Sequence, residues 1–455
     1  MFTRICSAIV VSVAVVGLFQ FLVGGGRLLI AQERKTRDTL VREDLQNVVA
    51  DGHWIYNDLD VARRQARLTG KPMLVVIRCI PCEACAQLDS EIVDRDPLVQ
   101  KQLSEFICVR IVQANGLDLQ LFQYDYDQSF AAFFMNGDNT IYGRYGTRSH
   151  QTESEDDVAL EGFSYALDEA LTLHRAYPDN AKQLAGKQTR VAPAFTVPEE
   201  YPLLKGRYTD RLNYDGEVAK SCIHCHQLGE AIRDDYWRKH EPIPTDILFS
   251  YPHPKTLGLI IDPKTCATVK GVVPGSAAEK AGFQVGDRIT TFDDQPVLSI
   301  ADLQWVLHHA SSSNSIRTVV RRGEQERVLQ LALADGWRER GDISWRATSW
   351  SLRRMTTGGM KLQELDDEQR RELGLDDNAM GLRVEHLGQY GAHALAKNSG
   401  FQQGDVLVAV DGDTTVQRES DLFARLIRQH QAGDEVPFTV LRDGNRLDLP
   451  LKMQE

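Results

Sequence analysis

The spacing of apolar and polar positions changes several times along this chain, and each change predicts an element. An apolar run over residues 5–23 follows Arg4. Further on, Leu59, Ala62, Ala66 and Leu68 recur at roughly helical spacing and predict a helix over residues 56–68, stopped by Gly70 and Pro72. Residues 73–77 are continuously apolar and branched, as in a strand buried on both faces, and residues 107–112 form a second such run. Between them, Asp96 caps a helix opening at Pro97. Residues 131–135 and 140–145, split by Asn136-Gly137-Asp138-Asn139, predict a hairpin. Ser154 and Asp157 have capping-box spacing, and Phe163, Leu167, Ala170, Leu171 and His174 share one face of the helix beyond. Residues 177–206 have no clear period and predict a linker.

At 455 residues the chain exceeds one compact core, and about three domains are expected. A net charge of -12 leaves no broad basic face for phosphates and argues against a nucleic-acid partner. Residues 1–31 are predicted to be a signal peptide or an N-terminal membrane anchor, with Leu29-Ile30-Ala31 as a cleavage site. Arg4 on one side and Arg27, Arg34, Lys35 and Arg37 on the other leave orientation open. Either way the remainder is expected to be exported, periplasmic or anchored facing the periplasm. Of eight cysteines, five fall in two clusters, which points to redox or cofactor chemistry more than to a disulfide scaffold.

The first cluster follows the strand at residues 73–77. Cys82-Glu83-Ala84-Cys85 stands at a predicted helix start, where the dipole favours the thiolate. With Lys71-Pro72 before the strand and Leu88-Asp89 after the second thiol, residues 41–176 resemble the thioredoxin-like fold in its short exported form. The resemblance implies Cys82 as nucleophile and Cys85 as resolving thiol. Cys79-Ile80-Pro81-Cys82 offers a competing register. Pro81 stands where the family usually has Trp, and no Pro lies near Ser129-Phe130, so an idle disulfide in a structural domain is the alternative.

The second cluster is Cys222-Ile223-His224-Cys225-His226. Two thiols on one turn suit the two haem vinyl groups, and the adjoining His suits the iron. The segment resembles the attachment site of c-type cytochromes, which implies covalent haem c on Cys222 and Cys225 with His226 as axial ligand. A zinc half-site would need a second Cys or His pair, whereas His240, His253 and Cys266 stand singly. Residues 207–251 are expected to be a short, mainly helical haem-bearing segment with a helix over residues 228–240. His253 is the first candidate for the opposite iron position, followed by His240, Met355 and Met360.

An internal repeat fills the rest. Ala281-Gly282-Phe283 and Gly286-Asp287-Arg288-Ile289 recur as Ser399-Gly400-Phe401 and Gly404-Asp405-Val406-Leu407. Helices opening at Ser299 and Ser420 and hairpins turning at Arg322-Gly323 and Asp443-Gly444 follow in the same order. Residues 254–334 and 358–455 thus resemble the PDZ domains of periplasmic trypsin-like heat-shock proteases and carboxy-terminal processing proteases. The resemblance implies peptides added as a strand, with the terminal carboxylate held by backbone N–H groups. That loop maps to Leu257-Gly258-Leu259 in copy one, with Trp305 or Leu307 in the groove. In copy two it maps to Gly358-Gly359-Met360, followed by a longer insertion over residues 361–375. In the connector, residues 335–357, Trp337, Trp345 and Trp350 interleave with Arg338, Arg340, Arg346 and Arg353. Guanidinium-on-indole stacking at a domain interface is expected there, with pairing to haem propionates as the sharper alternative.

No Gly-x-Ser-x-Gly or Gly-Asn-Ser-Gly-Gly stretch occurs, so a protease is not expected. The expectation is a multi-domain chain: an α/β thioredoxin-like domain, the haem segment and two α+β, mostly β, PDZ domains. Its expected work is thiol–disulfide exchange and electron transfer with a redox partner, the PDZ domains holding protein C-termini. The alternative is a non-catalytic periplasmic adaptor with a structural or sensory haem.

Overall fold

The computed structural model describes residues 35–80, 96–128, 130–150, 157–189, 191–265, 267–311 and 314–454. The leader, Cys82, Cys85 and Ser154 lie outside them. Among the described residues no helix is long and apolar enough to cross a membrane.

The first domain runs α1 (Arg37–Asp51), β1 (Trp54–Tyr56), α2 (Leu59–Thr69), β2 (Met73–Arg78), α3 (Pro97–Leu103), β3 (Ile107–Ile111), β4 (Phe130–Met135), β5 (Ile141–Tyr145) and α4 (Leu160–Arg175). Its sheet has the order β1-β3-β2-β4-β5. β1, β3 and β2 are parallel, β4 runs antiparallel to β2, and β5 runs antiparallel to β4. β2 is buried throughout because both sheet faces are covered. Leu74 and Val76 meet Phe163 and Leu167 of α4, and Met73, Val75 and Ile77 meet Ala62 and Ala66 of α2 on the opposite face.

Three local readings shift. Tyr56 lies in β1, and α2 starts later because Asp58 Oδ1 accepts the Val61 amide at 2.8 Å. Asp157 is no cap: it is buried, accepts the Ser149 hydroxyl at 2.5 Å, and α4 begins beyond it without a side-chain cap. His174 is a satisfied edge group, bonded to the Tyr142 hydroxyl and the Gly70 carbonyl, both at 2.8 Å.

Residues 177–206, read as a linker, are docked on the body. Leu184 enters one core, Tyr201 and Leu204 another, and Lys187 is fully buried. Scattered anchors of this kind leave no periodic signal. The next helix, α5 (Cys225–Arg238), also joins the first domain, because Ile223, Leu228 and Ala231 pack with Met73, Val75 and Phe133. The segment expected to stand alone therefore covers one face of the sheet.

Copy one of the repeat comprises β6 (Leu259–Ile261), β7 (Val269–Val272), α6 (Ala277–Ala281), β8 (Arg288–Phe292), β9 (Gln295–Pro296), α7 (Ile300–His309), β10 (Ser315–Arg322) and β11 (Gln325–Ala332). The connector helix α8 (Ser349–Thr357) leads to copy two: β12 (Met360–Glu364), β13 (Leu382–Leu387), β14 (Val406–Val410), α9 (Glu419–Gln429), β15 (Glu435–Arg442) and β16 (Asn445–Lys452). The Gly-Asp motif has the same job in both. Asp287 is held by Arg322 through contacts of 2.6 and 2.7 Å and accepts the Gln284 amide at 2.9 Å. Asp405 is held by Arg442 at 2.6 Å twice and accepts the Gln402 amide at 2.8 Å. Each buried carboxylate thus ties the turn after the Gly-Phe motif to the final hairpin.

Copy one is bolted to the first domain through α7 and β5. Lys187 and Asp302, both fully buried, pair at 2.8 Å. The Ser299 hydroxyl donates to the Arg144 carbonyl at 2.5 Å, and Thr147 bonds Gln304 at 2.6 Å. Gly143 makes this approach feasible: a Cβ there would lie 2.7 Å from Leu298 and 2.9 Å from Asp302. The connector is bolted on as well, Arg346 pairing with Asp125 at 2.6 Å and Asp127 at 3.2 Å. The Trp/Arg stretch stacks locally, with Arg346 over Trp345 at 5.2 Å, Arg338 over Trp337 at 4.7 Å and Arg353 over Trp350 at 4.8 Å.

Candidate functional site

The Cys222–His226 turn is fixed from below by the loop after β3. Asn115 Oδ1 accepts the Ile223 amide at 2.7 Å, and the Ala114 amide donates to the Ile223 carbonyl at 2.9 Å. Gln227 Oε1 accepts the His224 amide at 2.8 Å, which starts α5 at Cys225. Both sulfurs turn inward. Cys222 Sγ lies 3.8 Å from the Val112 carbonyl, and Cys225 Sγ accepts from the Tyr124 hydroxyl at 3.0 Å. Burial, then the neighbouring Cys225, pushes the Cys222 thiol up to about 12. Burial also raises Cys225, although Tyr124 opposes it. A helix start favours thiolate, but at Cys225 desolvation wins, and the pair is protonated and weakly nucleophilic.

His224 and His226 stack in parallel, with ring centres 5.5 Å apart. Burial, then His226 and Arg37, lowers His224 to about 4. Its neutral ring meets Cys79 of the first domain, with Cys79 Sγ 3.0 Å from His224 Nδ1. The turn thus faces the stretch leading into Cys82 and Cys85, which themselves fall outside the described residues. Tyr124, Asn115 and Cys79 complete this cluster from far away in sequence. Cys79 was legible only as an alternative register, and Tyr124 and Asn115 carried no signal.

A covalent haem needs both sulfurs on one open face. Here Ile223 between them is fully buried, and Cys225 abuts an aromatic wall in which Tyr124 packs edge-on to Tyr126 and Phe133 at 4.9 and 5.9 Å. As arranged, these residues do not fit a covalent haem. Among the opposite-ligand candidates, His253 is half-buried with Nδ1 accepting the Lys255 amide at 3.2 Å, and Met355 and Met360 lie in the core of copy two. His240 is exposed, with φ of 54°.

The two peptide loops are placed differently. In copy one, Leu257, Gly258 and Leu259 are buried, and the Gly258 amide closes a tight turn onto the Lys255 carbonyl at 2.9 Å. Trp305 and Leu307 do not line an open groove. Trp305 faces the first domain, donating to the Gly186 carbonyl at 2.8 Å beneath the Arg144 guanidinium at 3.7 Å, and Leu307 is core. Gln304 and His308 of α7 instead hold the carbonyl and amide of Tyr251, at 3.0 and 3.4 Å. Among the described residues β6 pairs with β7 alone, on one side. The Gly258 carbonyl accepts the Val273 amide at 2.9 Å, so ladder alternation turns the Leu259 amide and carbonyl to the outer edge.

In copy two, Gly358 and Gly359 have φ of 60° and 88° and are jammed against residues 393–396, where a Cβ on Gly359 would lie 1.9 Å from the His393 carbonyl. Met360 opens β12 in the core. The space between β12 and α9 is taken by the chain itself. α8 packs on both, and Glu419 accepts the Leu362 amide at 2.8 Å while pairing with Arg353 at 2.5 Å. Ser420, read as a helix opener, is the second residue of α9, its hydroxyl donating to Asp342 at 2.7 Å and accepting the Ile343 amide at 3.0 Å.

With this geometry in view, the chain compares with known proteins as follows. A thioredoxin-like family model matches residues 54–137, and PDZ domain models match residues 268–322 and 393–453. The chain carries a thioredoxin-like domain and two PDZ domains. It is 24% identical over 262 residues to a "Probable periplasmic serine endoprotease DegP-like" of Marinomonas sp. (strain MWYL1), covering 58% of this chain and 48% of that protein. A protein of the same description from Pseudomonas savastanoi pv. phaseolicola (strain 1448A / Race 6) is 26% identical over 198 residues, covering 43% and 39%. The chain thus spans less than half the length of these relatives. The solved HtrA-type protease AlgW with decapeptide aligns with 30% of this chain and 55% of that chain, at 16% identity and a TM-score of 0.19.

Proposed function

We propose that this chain is an exported, non-proteolytic PDZ scaffold, with its thioredoxin-like domain as a platform and its first PDZ domain as the docking module. Export is supported by the apolar leader and by the periplasmic description of the relatives. The observation that carries the reading is the contrast between the PDZ copies. Among the described residues β6 has no second strand paired on its outer edge beside Leu257-Gly258-Leu259, whereas the matching edge of β12 is engaged by Glu419. A partner's C-terminal segment would add to β6 as a further strand. A library of C-terminal peptides panned on the full chain tests this. Hits should lose affinity on amidation of the terminus, and equal binding of amidated peptides would assign copy one to intramolecular support.

Thiol–disulfide exchange at Cys82 and Cys85, with a redox partner, is the second reading, supported by the contact of His224 with Cys79, which precedes that motif in the chain. Reduction of a model disulfide by the full chain, lost in Cys82→Ser, would raise it above the scaffold reading. Haem c at Cys222, Cys225 and His226 would require both sulfurs to turn outward. A pyridine haemochrome on protein from a strain that matures c-type cytochromes decides that point.

A further inference from the structure

The two PDZ copies end on matching edge strands, β11 and β16, each eight residues long and paired with a single neighbouring strand among the described residues. Both registers run without a bulge. Just past each strand the pairing continues, the Leu333 amide donating to the Asn314 carbonyl at 2.8 Å and the Met453 amide to the Asp434 carbonyl at 2.7 Å. Alternation from those inward bonds turns the N–H and C=O groups of Glu326, Val328, Gln330 and Ala332 to the outer edge of β11. On β16 it turns out the backbone of Arg446, Asp448, Pro450 and Lys452.

The two rows differ. On β16 three positions are charged and the fourth is a proline, which has no N–H to offer. Charges and proline blunt an edge against further pairing. On β11, Gln330 holds the place of Pro450, and Glu326 is the one charge in the row. All four residues are exposed, Val328 by 54%.

The β11 row also complements itself. Two such strands turned about Leu329 run antiparallel, with Val328 opposite Gln330 and Glu326 opposite Ala332 of the other copy. Every outward N–H and C=O then finds a partner, and no like charges are opposed. Turning about Arg327 instead would set two arginines against each other. A twofold axis closes the contact at two copies.

We propose that β11 pairs antiparallel with β11 of a second copy of this chain, joining their four-stranded sheets across a twofold axis. The contact is separate from the docking role of β6, which lies in another sheet.

Sedimentation velocity of the full chain over a micromolar concentration series, with hydrogen exchange read at β11, tests the proposal. A monomer–dimer equilibrium is expected, with exchange in β11 slowing as the dimer fills. Gln330→Pro, which copies β16, should weaken association at least about tenfold. The Gln330 amide points outward, so pairing with β10 is kept and only an exposed bond from the Ser315 hydroxyl is lost. If Gln330→Pro melts below the parent, the double variant Val328→Asp with Gln330→Asp decides, since it keeps every N–H and opposes like charges at two places. A monomer throughout the series, a dimer without slowed exchange in β11, or association undiminished in the deciding variant would overturn the proposal.

Discussion

Replacing Arg346 by Met should uncouple the connector from the thioredoxin-like domain. The guanidinium donates through Nη1 to Asp125 at 2.6 Å and Asp127 at 3.2 Å, and through Nη2 to the Ser250 carbonyl at 2.9 Å. All three charged side chains are about 95% buried. Met fills much of the volume but removes the cation that both carboxylates share, leaving Arg233 as the remaining positive charge beside Asp127. Removing one partner of a buried pair costs about 3–5 kcal/mol. Part of Asp127 remains satisfied, since it accepts the Thr348 amide and hydroxyl, both at 2.8 Å.

The pH dependence follows from the same groups. Burial already raises the Asp125 carboxyl, and Arg346 is the first influence holding it down. In Arg346→Met its folded pKa rises further above the unfolded value. The penalty is then full above the folded pKa and fades as falling pH protonates the group. Urea denaturation of parent and variant at pH 8 and pH 5 should give a larger gap at pH 8. Adding Asp125→Asn to the variant should recover part of the loss at pH 8, because one stranded carboxylate is removed while Asp127 keeps the buried Arg233 beside it. A loss under about 1 kcal/mol at pH 8, or a gap that does not change with pH, would refute this account of the interface.

Glu419→Ala should cost about 3–5 kcal/mol by stranding Arg353, and should free the Leu362 amide; peptide binding by the second PDZ domain, measured by fluorescence anisotropy, should appear only in that variant. Asp287→Asn and Asp405→Asn should each lower stability by about 1.5–3 kcal/mol, the two matching within error because the same Arg clamp is lost; a large difference would mean the motif serves different ends in the two copies. Trp305→Ala should cost about 3–5 kcal/mol and bring protease cleavage between the thioredoxin-like and first PDZ domains; intact full-length chain under limited digestion would count against the α7–β5 dock. In the reduced protein, mass-mapped alkylation should modify Cys82 ahead of Cys222 and Cys225, whose thiols are buried and raised; early labelling of Cys222 would show that the turn opens in solution.

The sequence alone determined what depends on short-range order. Alternation and branched runs placed β2, β3 and the β4–β5 hairpin, because a strand buried on both faces must be apolar at every position. The repeated Gly-Asp motifs and hairpin turns located both PDZ copies, since turn chemistry is local and Asp287 and Asp405 do identical work. The Cys222–His226 spacing was equally plain, but spacing does not say which way a sulfur points. Tertiary structure set that, because Tyr124, Asn115 and the covered sheet face draw Cys222 and Cys225 inward. It also decided that residues 177–206 are anchored and that the groove of copy two is filled, both through contacts such as Lys187 with Asp302 and Glu419 with Arg353. Those pairs join positions 115 and 66 residues apart and follow no period, so only the folded chain brings them together.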